Sequence, residues 1–208
     1  MLLYGQAGAG KTRFCADADR PHWFDTELST ETLRHWPEYS DIPVKIPTTV
    51  DELLRDVQQM VKEDSVGTIV LDSVTTMLDK FIRNYAKNQG RKDRYQIYEA
   101  DYKYATAVFT TLFGELQEAP INVVIIGHER VARDDAGTVT GIWPDVTPRL
   151  QQAVVRLVNV VAYMSIEPSG LKGAKRKLYL NRTPIIEAKN RLNIQEVFIE
   201  NPSWKEIF

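Results

Sequence analysis

The run Gly5-Gln6-Ala7-Gly8-Ala9-Gly10-Lys11-Thr12 constrains this chain more than any other segment. It matches the spacing G-x-x-x-x-G-K-[ST] in full. It follows the apolar triplet Leu2-Leu3-Tyr4 and gives way to Phe14, Cys15 and Ala18 on an expected helix from Lys11 to about Asp19. A glycine-rich turn from a buried strand into a helix points successive backbone N–H groups into one concavity, where they surround phosphate oxygens. The helix N-terminus adds partial positive charge. Lys11 is placed to reach the terminal phosphates of ATP and Thr12 to set its hydroxyl on Mg²⁺. Gly5, Gln6, Ala7, Gly8, Ala9, Gly10 and Arg13 complete the expected nucleotide-binding segment.

The rest of the chain alternates strand and helix signals, which implies a mainly parallel sheet covered on both faces. Pro21 to Asp25 reads as a strand, Thr30 to Trp36 as a short helix and Val44 to Ile46 as a brief strand. Thr49 and Glu52 have capping-box spacing. They open a helix with Val50, Leu53, Leu54, Val57, Met60 and Val61 on one face. Thr68 to Leu71 is a continuous apolar run, as a buried parallel strand would be. It ends in Asp72, a carboxylate positioned to hold Mg²⁺. A long helical region follows, closing with Tyr104, Val108, Phe109, Leu112, Phe113 and Leu116 on one face. Beyond Pro120, Ile121 to Ile126 is expected to be another buried strand. Arg130 to Pro148 reads as a polar loop. The stretches 154–164, 177–180 and 185–188 read as strands joined by turns. One domain spanning residues 1–208 is expected.

Composition narrows the function classes. A net charge of −2 argues against a protein that coats nucleic acid passively, where a strongly basic balance is expected. The single cysteine, Cys15, permits no intrachain disulfide, and His22, His35 and His128 lack zinc-ligand spacing. No apolar run has the length of a membrane span and no secretory signal pattern is present, so a cytoplasmic protein without membrane contact is expected.

Further residues carry a family resemblance. Phe24-Asp25-Thr26-Glu27 resembles the strand-end Asp-Thr-Glu of RecA-like recombinases and helicases, where the glutamate polarises the attacking water. Gly127-His128 after Ile125-Ile126 resembles the family's sensor strand, which feels the γ-phosphate. Lys189-Asn190-Arg191 resembles the Lys-x-Arg finger that one subunit of a hexameric helicase or clock ATPase lends to its neighbour's ATP. The resemblance implies a RecA-like P-loop core with antiparallel strands at the C-terminal end. Glu27, His128, Lys189 and Arg191 join Lys11 in catalysis, and Glu129 is the alternative water-orienting acid. The pattern is most similar to short phage-encoded RecA-like ATPases of single-strand annealing and recombination. That implies ring or filament self-association, a single-strand-binding protein as a further partner, and a host-cytoplasmic location. The start of the chain close to the P-loop leads one to expect no N-terminal domain and puts filament growth in doubt.

In that family two loops bind single strands, one after the Mg²⁺ strand and one after the sensor strand. The corresponding stretches here are 84–95 and 129–146. The first carries Lys87, Arg91, Lys92, Arg94 and Tyr95 with Tyr85, the cations and stacking rings that single-strand tracking needs. The second carries Arg130 and Arg133. The basic segment 172–177 reads as a hairpin turn. The rival expectations are a helicase-type motor or loader core and a nucleotide-gated regulator with no DNA role.

Overall fold

The computed structural model describes residues 1–91, 93, 96–168 and 174–208. At its centre β1 (Leu2–Gly5) lies between β5 (Asn122–Arg133) and β7 (Val160–Pro168), parallel to both. The sheet continues from β5 through β4 (Thr68–Asp72) and β2 (Pro21–Asp25) to β3 (Val44–Lys45), all parallel. On its other side β7 pairs antiparallel with β8 (Ala174–Tyr179), which pairs antiparallel with β10 (Phe198–Glu200). β9 (Lys189–Asn190) also pairs antiparallel with β7. This is the expected α/β architecture, a mostly parallel sheet with antiparallel C-terminal strands.

Both faces of the sheet are covered, which explains the unbroken apolar runs. Along β1, Leu2 and Tyr4 enter one core cluster and Leu3 the other; along β4, Ile69 and Leu71 separate from Val70 in the same way. The larger cluster packs under α2 (Val50–Lys62), α3 (Val74–Lys87), α4 (Glu99–Glu118) and α5 (Pro148–Leu157). The smaller packs under α1 (Lys11–Ala16), with Phe14 against Trp204 at a ring separation of 5.5 Å.

Several local expectations are corrected. α1 ends at Ala16, before Asp19. Residues Ser29–His35 form a 3₁₀ helix. The Thr49 hydroxyl accepts the Glu52 amide at 3.1 Å, but the Glu52 carboxylate turns to the Thr48 amide at 2.9 Å, so the capping box is only half formed. The long helical region is two helices. Asp101, fully buried, fixes the entry to the second by accepting the Tyr98 amide and both ends of the Arg91 guanidinium. Tyr104 does not face the core but is exposed, stacked on Tyr85 at 3.8 Å. The polar stretch after β5 is no loop: β5 runs on to Arg133 and turns back as β6 (Val139–Pro144). Residues Val154 to Leu157 finish α5 rather than start a strand. The 185–188 segment contributes one bridge, Ile142 to Ile186, and no strand of its own.

Candidate active site

The P-loop leaves β1 through Gly5, whose φ of +148° favours glycine and whose absent Cβ would lie 2.0 Å from the Met164 carbonyl oxygen. Gly10 enters α1 at φ +97°. The Gln6 side chain accepts the Ile166 amide at 3.0 Å and ties the loop to β7. Lys11 is 9% exposed, and its Nζ donates to the Gly5 and Gln6 carbonyls at 2.9 and 2.8 Å. Burial lowers its pKa, an effect the nearby Asp72, Glu27 and Glu129 oppose. Ala7, Gly8 and Arg13 lie on the exposed side of the segment, and the Arg13 guanidinium stacks 3.7 Å from the Trp36 ring centre.

Two parallel strands deliver the acids. Asp25 ends β2 directly beside Asp72, which ends β4. The Thr12 hydroxyl donates to Asp72 Oδ2 at 3.2 Å, and the Ser29 hydroxyl donates to the same oxygen at 2.5 Å. Burial raises the Asp72 pKa to about 6, against the lowering effect of the Ser29 bond. Asp25 is fully buried and organises the turn that follows it. Its carboxylate accepts the Glu27 and Thr30 amides, each at 2.9 Å, and the Thr30 hydroxyl at 2.7 Å.

That turn aims Glu27 at β5. Its Oε1 lies 2.7 Å from His128 Nε2 and also accepts the Ser73 and Thr76 hydroxyls. The bond with His128 is the largest reason that the Glu27 pKa falls to about 2; the two hydroxyls add to it and burial opposes it. The same bond raises the His128 pKa. His128 stands opposite Gly5 in the β1–β5 register, so it sits at the mouth of the P-loop. Lys11, Thr12, Glu27, Asp72 and His128 therefore converge on one end of the sheet. Glu129 also lies near enough to act on Lys11, but its Oε2 is held by the Tyr163 hydroxyl at 2.6 Å.

The finger residues are not at this end. β9 pairs with Val160 and Val161 at the start of β7, whereas it is Met164, further along β7, that stands beside Gly5. Lys189 Nζ donates to the carbonyls of Val155 and Val158, each at 2.7 Å, at the C-terminus of α5. Arg191 is exposed; its amide donates to the Asn159 carbonyl at 3.2 Å and its guanidinium makes a long bond of 3.4 Å to the Asn159 side chain. Among the expected DNA residues, Lys87 is the exposed last residue of α3. Arg91 is engaged at 2.6 Å by each Asp101 oxygen, its guanidinium 4.4 Å from the Tyr98 ring centre. Lys92, Arg94 and Tyr95 lie outside the described residues, as do Lys172 and Gly173; Ala174 to Lys177, expected in a hairpin turn, are strand residues of β8. Arg130 and Arg133 are exposed on β5, and Arg133 donates to the Gly137 carbonyl at 2.9 Å.

Sequence patterns did not single out Ser29, Ser73 or Thr76 as site residues. Hydroxyls at strand ends and helix starts are common caps, and Ser73 does cap α3. Only the pairing of β2 with β4 shows that they also face Asp72 and Glu27.

A family model described as an AAA domain matches residues 1–192. The chain belongs to the AAA domain family. No curated protein matches it. Among solved structures this AAA domain is similar to a KaiC-like protein from the hyperthermophilic archaeon Pyrococcus horikoshii OT3. The TM-score is 0.53 and the identity 13%, over 96% of this chain and 82% of that one. At that identity the likeness is one of fold, and the fold is RecA-like. The family match, with the P-loop at residues 5–12, makes the chain a P-loop NTPase. Among the described residues no helix is long and apolar enough to cross a membrane.

Proposed function

We propose that this chain binds ATP with Mg²⁺ and hydrolyses it, with Glu27 directing the attacking water. The observation that carries this is the contact between Thr12 and Asp72, which brings the P-loop hydroxyl and the strand-end carboxylate together beside Lys11. Two hydroxyls and a buried carboxylate form a hard-oxygen donor set of the kind Mg²⁺ takes. The ion, when bound, offsets charge on the phosphate oxygens. Lys11 exchanges the Gly5 and Gln6 carbonyls for phosphate oxygens. Glu27 orients the water and accepts its proton. His128 faces both Glu27 and the P-loop mouth; a γ-phosphate that draws it away leaves Glu27 the stronger base.

The same proposal extends to single-stranded DNA in recombination or annealing. The β5–β6 hairpin supports it: the strand that carries His128 continues directly to exposed Arg130 and Arg133. Sites completed between subunits are supported by Arg191, exposed and remote from its own P-loop. ATP hydrolysis measured with and without single-stranded oligonucleotide tests the proposal. Stimulation by the oligonucleotide is expected. Hydrolysis indifferent to DNA favours the nucleotide-gated regulator, and no hydrolysis at all defeats the reading.

A further inference from the structure

A second feature of the P-loop lies on its other flank. The acids and His128 come from β2, β4 and β5, on one side of β1; on the opposite side stand β7, β8 and β10. There a cavity of about 330 Å³ opens against Gly10 and Arg13, with Phe14, Met164 and Pro202 as its apolar surfaces and Arg176 on its wall. Arg176 comes from β8 and crosses to the loop, donating from Nε to the Ala9 carbonyl at 3.1 Å. The approach is close enough that a Cβ on Gly10 would lie 2.8 Å from that nitrogen. Its backbone is fixed on both sides by Asn201, which donates to the Arg176 carbonyl at 2.7 Å and accepts its amide at 3.2 Å. Among the described residues no carboxylate pairs with this guanidinium, although its neighbours Lys175 and Lys177 both have acid partners; the acid that lines the cavity, Asp17, accepts the Tyr39 hydroxyl at 2.7 Å.

A planar cation fixed at one edge, without an acid partner and beside apolar surface, suits stacking on an aromatic ring. A triphosphate whose γ end lies at Asp72 and Glu27 runs through the P-loop toward this flank. We propose that the cavity receives the nucleobase and ribose of the bound nucleotide and that Arg176 is the positioning residue that stacks on the base. This rests on nucleotide binding at the P-loop, as proposed for the chain.

The test separates base from phosphate. Affinities of the full chain for ATP and for inorganic tripolyphosphate, both with Mg²⁺, are measured by titration calorimetry. The unaltered chain binds ATP more tightly than tripolyphosphate. Arg176→Ala weakens ATP binding roughly 3- to 30-fold, the worth of a cation over a ring, and leaves tripolyphosphate within twofold of the original. Arg176→Lys, which keeps the charge and a donor for Ala9 but not the plane, shows the same selective loss. Equal losses for both ligands in both variants, no loss for either, or an unaltered chain with no preference for ATP would each overturn the proposal while leaving the P-loop site in place. An unaltered chain that binds neither ligand defeats the P-loop site as well.

Discussion

His128 Nε2 lies 2.7 Å from Glu27 Oε1, so the middle of β5 is joined to the turn after β2 across the intervening β4. The pair fixes a pH window. The Glu27 pKa falls from 4.5 to about 2 in the folded chain, so its contribution to stability is complete above pH 4.5 and is lost as pH drops toward 2. The His128 pKa is raised above 6.5, so its contribution is complete below pH 6.5 and is lost as pH climbs through the raised value. Melting temperatures of the unaltered chain and of His128→Ala should differ most between pH 4.5 and 6.5 and converge on either side. The gap is modest, because both groups are partly exposed to solvent. A gap that does not vary with pH would show that the two residues do not titrate as a pair.

Glu27→Gln and Lys11→Ala should fail differently. The amide keeps the shape of the carboxylate but takes no proton. ATP should still bind to Glu27→Gln while turnover drops by about 10²–10⁴. Lys11→Ala should lose binding as well, since it removes the charge that faces the terminal phosphates. Equilibrium binding and steady-state hydrolysis on the same preparations separate the two. Full turnover in Glu27→Gln, with loss in Glu129→Gln, would move the role to Glu129.

Arg91 and Asp101 should behave as a structural unit. Asp101 accepts both guanidinium ends and the Tyr98 amide, so removing either residue leaves buried polar groups unpaired where α4 begins. Arg91→Ala and Asp101→Ala should each lower the melting temperature, and the double variant should fall little further, since partners in one interaction are non-additive. Additive losses would show that the pair contributes nothing as a pair.

The central strands and the P-loop were legible because a buried parallel strand is apolar throughout and the phosphate loop needs glycine at fixed places. The hairpin after β5 was not. Arg130, Val131, Ala132 and Arg133 leave the sheet for solvent and lose the apolar signal while keeping strand pairing with β6. α5 was misread because Val154 and Val155 run on into the strand residues Val160 and Val161, and an apolar run alone does not separate helix from strand. The acid end of the site was half legible. Asp72 and Glu27 sit at strand ends where their chemistry is conspicuous. The hydroxyls of Ser29, Ser73 and Thr76 reach them only through the register of β2 on β4. Lys189 and Arg191 alternate along one segment, yet Lys189 is drawn in to the carbonyls at the end of α5, a partner distant in sequence that spacing does not reveal.

Arg191 offers a test of shared sites. Arg191→Ala and Glu27→Gln should each be nearly inactive alone. Mixed in equal amounts they should recover part of the activity, because some interfaces then join an intact Glu27 to an intact Arg191. Lys189→Ala should instead lower stability, since three carbonyls at the end of α5 lose their cation. Mixing that restores no activity would place Arg191 outside the hydrolytic machinery.

The DNA proposal now centres on the β5–β6 hairpin rather than on Arg91, whose charge is engaged by Asp101. Side chains two apart on a strand share a face, so Arg130 projects on the same side as His128, and a shift of β5 at His128 is felt there. If Arg130 neutralises a phosphate of a single strand, Arg130→Ala should flatten the log–log dependence of affinity on salt by about 0.7, the counterions released per phosphate on a single strand. Arg133→Ala should flatten it less, because Arg133 also holds the hairpin turn through the Gly137 carbonyl. Arg91→Ala should leave the slope unchanged even where it lowers the melting temperature. Binding of a fluorescent oligonucleotide across a salt series gives all three slopes. A slope that moves with Arg91 and not with Arg130 would return the contact to the segment between α3 and α4.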